Sequence, residues 1–166
     1  MKILVFGGCG FLGSYVIDEL ISKNHEVYVA DIHNNGINDD SFVNCDILDK
    51  KSINSILLNN YDVVYNFAGF SNLDESIEKP YETLNLNIIG NLNIIDGCVK
   101  HEVKHYIYAS STYSMNTKGS FYGISKLSSE KIIEEYRRKY NIDYTIIRYG
   151  SVYSEKPSEN NYLYNL

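Results

Sequence analysis

Cysteine is scarce in this sequence, and long apolar stretches are absent from it. The three cysteines, Cys9, Cys45 and Cys98, are an odd number without close spacing. This usage is typical of reduced thiols in a cytoplasmic protein rather than of a disulfide framework. The longest apolar runs are far shorter than the roughly 20 residues that a membrane-spanning helix needs. The apolar stretch near the N-terminus is too short for a signal peptide and ends in Gly7 and Gly8 instead of a cleavage site. These absences predict a cytoplasmic protein without a membrane segment.

Basic residues are also in deficit. Lysine and arginine number 15 against 21 aspartates and glutamates, which gives a net charge of −6 at pH 7. This charge balance is a poor match for nucleic acids or anionic membrane surfaces, so we predict neither as a partner. Hydrophobic residues at 44% and charged residues at 22% are ordinary for a globular protein. A length of 166 residues suits a single domain with a substantial core.

What the sequence does contain is a regular alternation of short apolar runs and amphipathic stretches. We predict strands over residues 2–6, 26–30, 41–45, 62–67, 104–109 and 144–148, and helices over residues 11–23, 50–60, 81–100 and 122–140. Such alternation is typical of a parallel sheet covered on both faces. With right-handed crossovers, the prediction is an α/β fold: a doubly wound, Rossmann-type parallel sheet with helices on both faces and strand order 3-2-1-4-5-6. Ligands of such sheets bind at the carboxyl ends of the strands.

A glycine-rich loop follows the first predicted strand. Its glycines at positions 7, 10 and 13 are three apart, and the loop stands between a strand and a helix. This context favours a dinucleotide-binding loop over a plain tight turn. Small residues admit a pyrophosphate to the backbone, and the helix N-terminus supplies amide donors. We therefore predict cofactor contacts from Gly7, Gly10, Phe11, Leu12 and Gly13.

Acidic residues follow the second and third predicted strands. Asp31 lies 18 residues beyond Gly13, where a carboxylate accepts hydrogen bonds from the adenosine ribose and repels a 2′-phosphate. This position favours NAD over NADP, and a solvated aspartate in a turn is the alternative. Asp46 and Ile47 are predicted to bracket the adenine, and Ile32 is predicted to contact the cofactor.

A tyrosine and a lysine four positions apart open the last predicted helix. This spacing puts Tyr122 and Lys126 on one helix face. A nearby ammonium group and an oxidised nicotinamide both favour the phenolate, so Tyr122 is predicted to exchange a proton with a substrate oxygen. A surface pair is the alternative in a chain with 16 tyrosines. The triplet Ser110, Ser111 and Thr112 after the fifth strand favours catalysis, because it offers a hydroxyl beside the tyrosine.

One motif is predicted to be misleading. The segment from His101 to His105 reads His-Glu-x-x-His, which puts two zinc ligands on one face when it lies on a helix. Here the predicted helix ends near Lys100 and a strand follows, so the two histidines are not expected to share a face. With no third ligand evident, we predict no metal site.

Taken together, these residues resemble the extended short-chain dehydrogenase/reductase superfamily, and within it the NAD-dependent epimerase/dehydratase family. The resemblance runs from residue 2 to about residue 161. It is carried by the glycine loop, Asp31, Asp46-Ile47, Asn66-Phe67-Ala68-Gly69, Asn87-x-x-Gly90, Ala109-Ser110-Ser111, Tyr122-x-x-x-Lys126 and Arg148-Tyr149-Gly150-Ser151-Val152-Tyr153.

The resemblance implies roles for individual residues. The family's catalytic serine, tyrosine and lysine fall on Ser111, Tyr122 and Lys126. The implied cofactor is NAD. The resemblance adds the following cofactor contacts: Phe67, Ala68, Gly69, Asn87, Ala109, Tyr122, Lys126, Tyr149, Ser151 and Val152.

The function that the resemblance implies is an NAD-dependent nucleotide-sugar epimerase of the 4-epimerase type. In such an enzyme, hydride leaves sugar C4 and returns to the opposite face. The segment from Ala68 to Pro80 is similar to UDP-galactose 4-epimerases in particular. The family's dehydratases usually carry an Asp-Glu pair after the catalytic residue, whereas Thr112 and Tyr113 follow Ser111 here. A nucleotide-sugar dehydratase, a keto-sugar reductase and a non-catalytic NAD-binding module stay open as alternatives.

The sequence departs from the family pattern in three places. The 11-residue step from Ser111 to Tyr122 is short, and Met115 and Ser151 replace a common tyrosine and a common asparagine. The sequence also stops soon after the sixth predicted strand. We therefore expect a cofactor-binding domain over residues 1–153, the start of the substrate-binding region over residues 154–166, and no complete C-terminal substrate domain.

Two expectations follow from that organisation. The 166-residue chain is expected to bind NAD without turning over a nucleotide-sugar. The resemblance implies that the full-length protein forms a homodimer through the helices over residues 81–100 and 122–140, since dimers of this superfamily commonly use these helices. The apolar residues that both helices carry beyond a single stripe agree with this expectation.

Overall fold

The computed structural model describes residues 1–154, apart from the side chain of Thr117. Its strands are β1 (Lys2–Phe6), β2 (Glu26–Asp31), β3 (Phe42–Asn44), β4 (Val63–Asn66), β5 (His105–Ser111) and β6 (Asp143–Tyr149). They form one sheet in the order β3-β2-β1-β4-β5-β6, and every neighbouring pair is parallel. The predicted parallel fold and strand order are confirmed. Of the predicted second unit, residues 154–166, all but Ser154 lies outside the described residues.

Helices cover both faces of the sheet, but unequally. They are α1 (Phe11–Ser22), α2 (Lys50–Leu57), α3 (Glu75–Glu78), α4 (Pro80–Leu84), α5 (Asn91–Lys100) and α6 (Ser120–Tyr140). Side chains of β1 alternate between the faces. Leu4 and Phe6 belong to the larger core, which α2, α5 and α6 cover, whereas Ile3 and Val5 belong to the smaller core under α1. The strand that precedes the glycine loop is therefore buried on both sides.

The single helix predicted over residues 81–100 is interrupted. Between α4 and α5 the backbone forms a π-helical segment, Asn85–Gly90. There Asn87 turns inward, and its amide bonds to the backbone after β4 and to a hydroxyl on α6. Gly90 lies against Ile47, whose Cδ1 would be 2.4 Å from a Cβ at that position. These contacts between distant parts of the chain accompany the irregular segment, which local periodicity does not reveal. The short α3 was not predicted either.

Other boundaries differ from the predictions by a few residues. Helix α2 ends at Leu57 rather than at residue 60, and Asn60 has a positive φ of 56° that ends the helical path. Strands β5 and β6 are longer than predicted because they pair with each other as far as Ser111 and Tyr149. This pairing carries Ser111 to the very end of the sheet.

The His-Glu-x-x-His motif straddles a boundary, as predicted. Helix α5 ends at Lys100, and His105 is the first residue of β5, so His101 and His105 do not share a helix face. Among the described residues, no group of three or more His, Cys, Asp or Glu could hold a metal ion. In that same part of the chain, no helix combines the length and the apolarity that crossing a membrane requires. The three cysteines are free thiols.

Replacing Gly13 by alanine is expected to lower the free energy of unfolding by about 1–3 kcal/mol, the usual cost of overpacking. A Cβ at this position would lie 2.4 Å from the carbonyl oxygen of Gly7 and 2.7 Å from the Cα of Gly8. Gly150→Ala is the matched control, because no other described residue beyond its two chain neighbours has an atom within 4 Å of its Cβ position. Urea denaturation of both variants measures the difference, and equal stabilities would contradict tight packing of the glycine loop.

Candidate active site

A cleft of about 760 Å³ lies along the carboxyl ends of the strands. Its walls are the loops that follow all six strands, together with the first turns of α6. The sequence-predicted residues that line it are Gly7, Gly10, Phe11, Leu12, Gly13, Asp31, Ile32, Asp46, Ile47, Phe67, Ala68, Gly69, Ala109, Ser111, Tyr122, Lys126, Tyr149, Ser151 and Val152. The structure therefore brings the predicted cofactor residues and the predicted catalytic residues into a single cavity.

The glycine loop is packed against the loop that follows β4. Gly7 has a φ of +72°, and a Cβ there would lie 2.4 Å from the backbone nitrogen of Ala68. Helix α1 begins directly after the loop, and Gly10 at its N-cap supplies no side-chain cap. Amide groups at the helix N-terminus thus stay available to a ligand, and a bare backbone lines the cleft. Both features fit the pyrophosphate of a dinucleotide.

Asp31, at the end of β2, is held by two backbone amides. Its Oδ2 accepts from the N–H of Cys9 at 3.0 Å, and its Oδ1 accepts from the N–H of Ile32 at 2.8 Å. The carboxylate keeps further lone pairs for hydroxyl donors. Among the described residues that line the cleft, Lys126 is the only lysine or arginine. Lys126 lies at the end of the cleft that Ser111 and Tyr122 line, which we call the catalytic end. No lysine or arginine among the described lining residues therefore stands beside Asp31 to neutralise a 2′-phosphate.

Several residues that line the cleft were not predicted. They are Cys9, Ala30, His33, Asn35, Cys45, Ser71, Leu73, Leu86, Tyr113 and Gly150, and Ser110 of the predicted hydroxyl triplet lines the cleft as well. Most are immediate neighbours of predicted residues, so their position in a strand-end loop is the signal that identifies them. Ser71, Leu73 and Leu86 belong to the segment between β4 and α5, and no local motif indicates the path of that segment.

Asn87 is the predicted cofactor residue that does not line the cleft. It is 2% exposed. Its Oδ1 accepts from the N–H of Phe70 at 2.7 Å, and its Nδ2 donates to the Phe70 carbonyl oxygen at 3.1 Å and to the Ser125 Oγ at 2.8 Å. These bonds hold the loop after β4 against α6. A contact between Asn87 and the cofactor stays a prediction.

Lys126 is buried beneath the catalytic end of the cleft. Its Nζ donates to the carbonyl oxygen of Ala109 at 2.9 Å. The same nitrogen lies 5.0 Å from the ring centre of Tyr108 and 5.7 Å from that of Tyr122. Burial lowers the pKa of Lys126 to about 8, and the negative charge of Glu130 acts in the opposite direction. This side chain can therefore change its protonation state near neutral pH.

Tyr122 and Ser111 form the hydroxyl pair of the cleft. Burial raises the pKa of Tyr122 above its ordinary value, and a hydrogen bond with Ser111 acts against that increase. The Oγ of Ser111 accepts from the N–H of Tyr113 at 3.2 Å. Because burial disfavours the phenolate, Tyr122 needs positive charge nearby to act as a base. The arrangement suits proton transfer to and from one oxygen that contacts both hydroxyls.

The chain combines a Rossmann-type parallel sheet with a glycine loop, an aspartate at the end of β2 and a Ser-Tyr-Lys group. These features together define the short-chain dehydrogenase/reductase class. A model of the NAD dependent epimerase/dehydratase family matches residues 3–164. The chain belongs to this family. The resemblance found in the sequence is thereby confirmed, and the predicted cofactor, NAD, is the one on which the family depends.

Known proteins resemble the chain in sequence and in fold. A Methanocaldococcus jannaschii protein, provisionally named a UDP-glucose 4-epimerase, is 34% identical over 93% of this chain and 57% of its own length. The structure of Thermotoga maritima UDP-glucose 4-epimerase with UDP-glucose matches with a TM-score of 0.85 and 32% identity, over 93% of this chain and 57% of that one. The Thermus thermophilus UDP-glucose 4-epimerase complex with NAD matches with a TM-score of 0.87 and 25% identity, over 97% and 58%. The chain thus spans about half the length of the relatives that it matches.

The low pKa of Lys126 predicts a pH-dependent contribution to stability. The ordinary lysine value is 10.5 and the folded value is about 8, so between these values the unfolded chain binds more protons than the folded one. The free energy of unfolding must then rise with pH in this window. Relative to Lys126→Met, that of the unmodified protein is expected to rise by about 2 kcal/mol between about pH 7.5 and 9.5. Urea denaturation at both pH values measures the change. Lys131→Met, an exposed position on α6, is the control, and a gap for Lys126→Met that is constant with pH would contradict the prediction.

Proposed function

We propose that these residues form the cofactor-binding part of an NAD-dependent nucleotide-sugar 4-epimerase. The observation that carries the proposal is the convergence of the glycine loop, Asp31, Ser111, Tyr122 and Lys126 on one cleft. Relatives of the same fold are named UDP-glucose 4-epimerases, one of them in complex with NAD and another with UDP-glucose. Because the chain spans about half of these relatives, the activity is proposed for the protein that combines this cleft with a sugar-nucleotide site.

The residues of the cleft fit NAD. The glycine loop and the first turn of α1 would hold the pyrophosphate, and Asp31 would accept from the ribose hydroxyls. Phe67 and Ala68 line the part of the cleft that follows β4, beside the glycine loop. When bound, NAD supplies a hydride acceptor that becomes a hydride donor after reduction.

Tyr122 is the proposed proton carrier. Its phenolate takes the proton of the sugar C4 hydroxyl as hydride leaves C4, and a ketone forms at that carbon. After the ketone has presented its other face, Tyr122 returns the proton to the same oxygen as hydride comes back. Ser111 donates a hydrogen bond to this oxygen, because the amide of Tyr113 occupies only a lone pair of its Oγ. The charge of Lys126 beneath the ring favours the phenolate.

The positions of the carboxylates in the cleft favour epimerisation over dehydration. Removing water from the sugar requires an acid–base group that takes a carbon-bound proton, in addition to the group that acts at C4. In the described part of the chain, the only carboxylates that line the cleft are Asp31 and Asp46. Asp31 ends β2 and Asp46 follows β3, whereas Ser111 ends β5. In the sheet, two strands separate β2 from β5 and three separate β3 from β5. Thr112 and Tyr113, next to Ser111, carry no carboxylate.

We also propose that the full-length protein forms a homodimer through the helical segments over residues 81–100 and 122–140. Apolar side chains are exposed on α4, on the π-helical segment and on α6: Tyr81, Ile89, Ile124 and Leu127. Since α4 and α6 pack side by side, these side chains favour an interface on this surface. Light scattering at micromolar concentration is expected to give a dimer, and Leu127→Asp a monomer. Ile21→Asp, at an exposed position on α1, is the control. A monomeric unmodified full-length protein would contradict the proposal.

The protein is expected to bind NADH at least about tenfold more tightly than NADPH, because the Asp31 carboxylate repels a 2′-phosphate. Asp31→Asn should narrow this preference, since the amide keeps an acceptor for the N–H of Cys9 and loses the charge. Asp40→Asn, an exposed carboxylate that does not line the cleft, should leave it unchanged. Fluorescence titration with both reduced cofactors measures the affinities, and tighter NADPH binding by the unmodified protein would refute the assignment.

The 166-residue chain is expected to bind NAD but not to interconvert UDP-glucose and UDP-galactose. Correct orientation of the reacting groups supplies about 7–11 kcal/mol of a barrier, and we assign the orientation of the sugar to the rest of the protein. A fusion of this chain with the C-terminal part of the Thermotoga maritima epimerase is expected to perform the reaction, followed by NMR of the sugar. Turnover by the 166-residue chain alone would overturn this division of the site.

In the fusion, Tyr122→Phe is expected to lower kcat by about 10²–10⁴, the usual contribution of general acid–base catalysis, with the affinity for NADH unchanged. Tyr140→Phe, at the exposed end of α6, is the matched control.

The products of the fusion distinguish the alternative functions. Loss of water from the sugar indicates a dehydratase, and net oxidation of NADH by a keto-sugar indicates a reductase. Cofactor binding without any of these reactions indicates a non-catalytic module.

A further inference from the structure

A buried carboxylate that the proposed reaction does not use lies behind the catalytic end of the cleft. Glu130 has no exposed surface. It stands on α6 four residues after Lys126 and eight residues after Tyr122, so the three side chains share one helix face. Acidic side chains are almost never fully buried unless they are paired. The partners of Glu130 therefore indicate its role.

Glu130 is bonded to three other parts of the fold. Its Oε1 accepts from the Oγ of Ser110 on β5 at 2.5 Å and from the Oγ of Ser114, in the turn after β5, at 2.9 Å. Arg148 on β6 donates from Nε to Oε1 at 2.9 Å and from Nη2 to Oε2 at 2.7 Å. These hydrogen bonds outweigh the effect of burial and hold the pKa of Glu130 below its ordinary value. One ionised carboxylate thus ties α6 to β5, to the following turn and to β6.

Along the chain, Ser111 lies between Ser110 and Ser114, which both donate to Glu130. Ser110 precedes it directly, and the Oγ of Ser114, three residues later, lies 2.8 Å from the carbonyl oxygen of Ser111. The carboxylate that contacts both flanking serines belongs to the helix that carries Tyr122. We propose that Glu130 is a positioning residue that sets the distance between the Ser111 hydroxyl and the Tyr122 phenol.

The proposal rests on the proposed function only in naming Ser111 and Tyr122 as the proton-transfer pair. The interaction between these two hydroxyls is measurable without any turnover. The competing explanation is that the ion pair of Glu130 with Arg148 stabilises the fold and does nothing else. In that case removal of the charge lowers stability and leaves the bond between the two hydroxyls unchanged.

Titration of Tyr122 separates the two explanations by the direction in which the pKa of Tyr122 changes. Its hydrogen bond with Ser111 lowers the Tyr122 pKa, so a loosened bond raises it. Loss of the Glu130 charge, acting through space alone, favours the phenolate and lowers the same pKa. Lys126, whose pKa is about 8, is already neutral where the phenol titrates, and the neighbouring Tyr113 is the same in all variants. The two effects therefore have opposite directions.

In Glu130→Gln, the pKa of Tyr122 is expected to rise by about half a unit or more, as read by NMR of ring-labelled tyrosine. In a Ser111→Ala background the same substitution is expected to lower this pKa or leave it unchanged, because no hydroxyl bond remains to be loosened. Glu134→Gln, one turn further on α6 and paired with Lys131 at the surface, is the matched control and should change nothing. A lowered or unchanged Tyr122 pKa in Glu130→Gln would overturn the proposal.

Amide hydrogen exchange at neutral pH provides a second measurement, in case the variant unfolds at high pH. The N–H of Tyr113, which donates to the Ser111 Oγ, is expected to exchange about tenfold faster in Glu130→Gln. The N–H of Gly7 donates to the carbonyl oxygen of Ala30 on β2, which two strands separate from β5. This amide should keep its exchange rate. Equal acceleration at both amides is the signature of a general loss of stability and would contradict a positioning role.

Ser114→Ala covers the outcome that Glu130→Gln does not fold at all. It removes one of the bonds to Glu130 and keeps the ion pair with Arg148, so the same local changes are expected at a smaller magnitude. Unchanged exchange at Tyr113 in this variant would count against the proposal. Titration with NADH keeps the two proposals apart. Failure of the unmodified protein to bind NADH contradicts the proposed function, whereas the bond between Ser111 and Tyr122 is measured independently of it.

Discussion

The parallel pairing of β1 with β2 and β4 is the constraint on which the site depends. Its register sets Phe6 beside Ala30 and Asn66, so the next residue of each strand emerges at the same level of the sheet edge. The ladder continues into the loop, where the N–H of Gly7 donates to the Ala30 carbonyl oxygen at 2.9 Å. A slip of one residue would exchange the two faces of β1, which would move Leu4 and Phe6 out of the larger core and Ile3 and Val5 out of the smaller one. The glycine loop and the end of β2 are therefore neighbours before any ligand is present.

Helix α6 is fixed to this sheet by polar contacts as well as by its apolar face. Lys126 donates to the carbonyl oxygen of Ala109, and Glu130 accepts from Ser110 and from Arg148. An unpaired charge in the interior is strongly destabilising, so neither side chain can leave its partner without a large cost in free energy. Sliding of α6 along the sheet would break both sets of contacts together. The position of the helix relative to the end of β5 is thus closely defined.

The electrostatics of the catalytic end link cofactor to chemistry. Burial raises the pKa of Tyr122 and lowers that of Lys126 to about 8. Both shifts favour the neutral forms, so the phenolate gains from positive charge near the ring, whether Lys126 carries it below its pKa or a ligand brings it to the cleft. An oxidised nicotinamide carries such a charge and the reduced form does not. In the proposed reaction, the basicity of Tyr122 would therefore respond to the redox state of the cofactor.

The sequence by itself determined those features of the protein that depend on short segments of the chain. Apolar periodicity predicted the parallel sheet and its strand order, glycine spacing predicted the loop after β1, and the i, i+4 step predicted the shared face of Tyr122 and Lys126. Tertiary structure alone decided the π-helical segment, the inward amide of Asn87 and the bonds of Glu130 to β5 and β6. Asn87 and Glu130 find their partners about 16 to 38 positions away along the chain. Contacts of that kind exist only after the sheet has brought distant segments together, because no local pattern specifies which buried polar groups will meet.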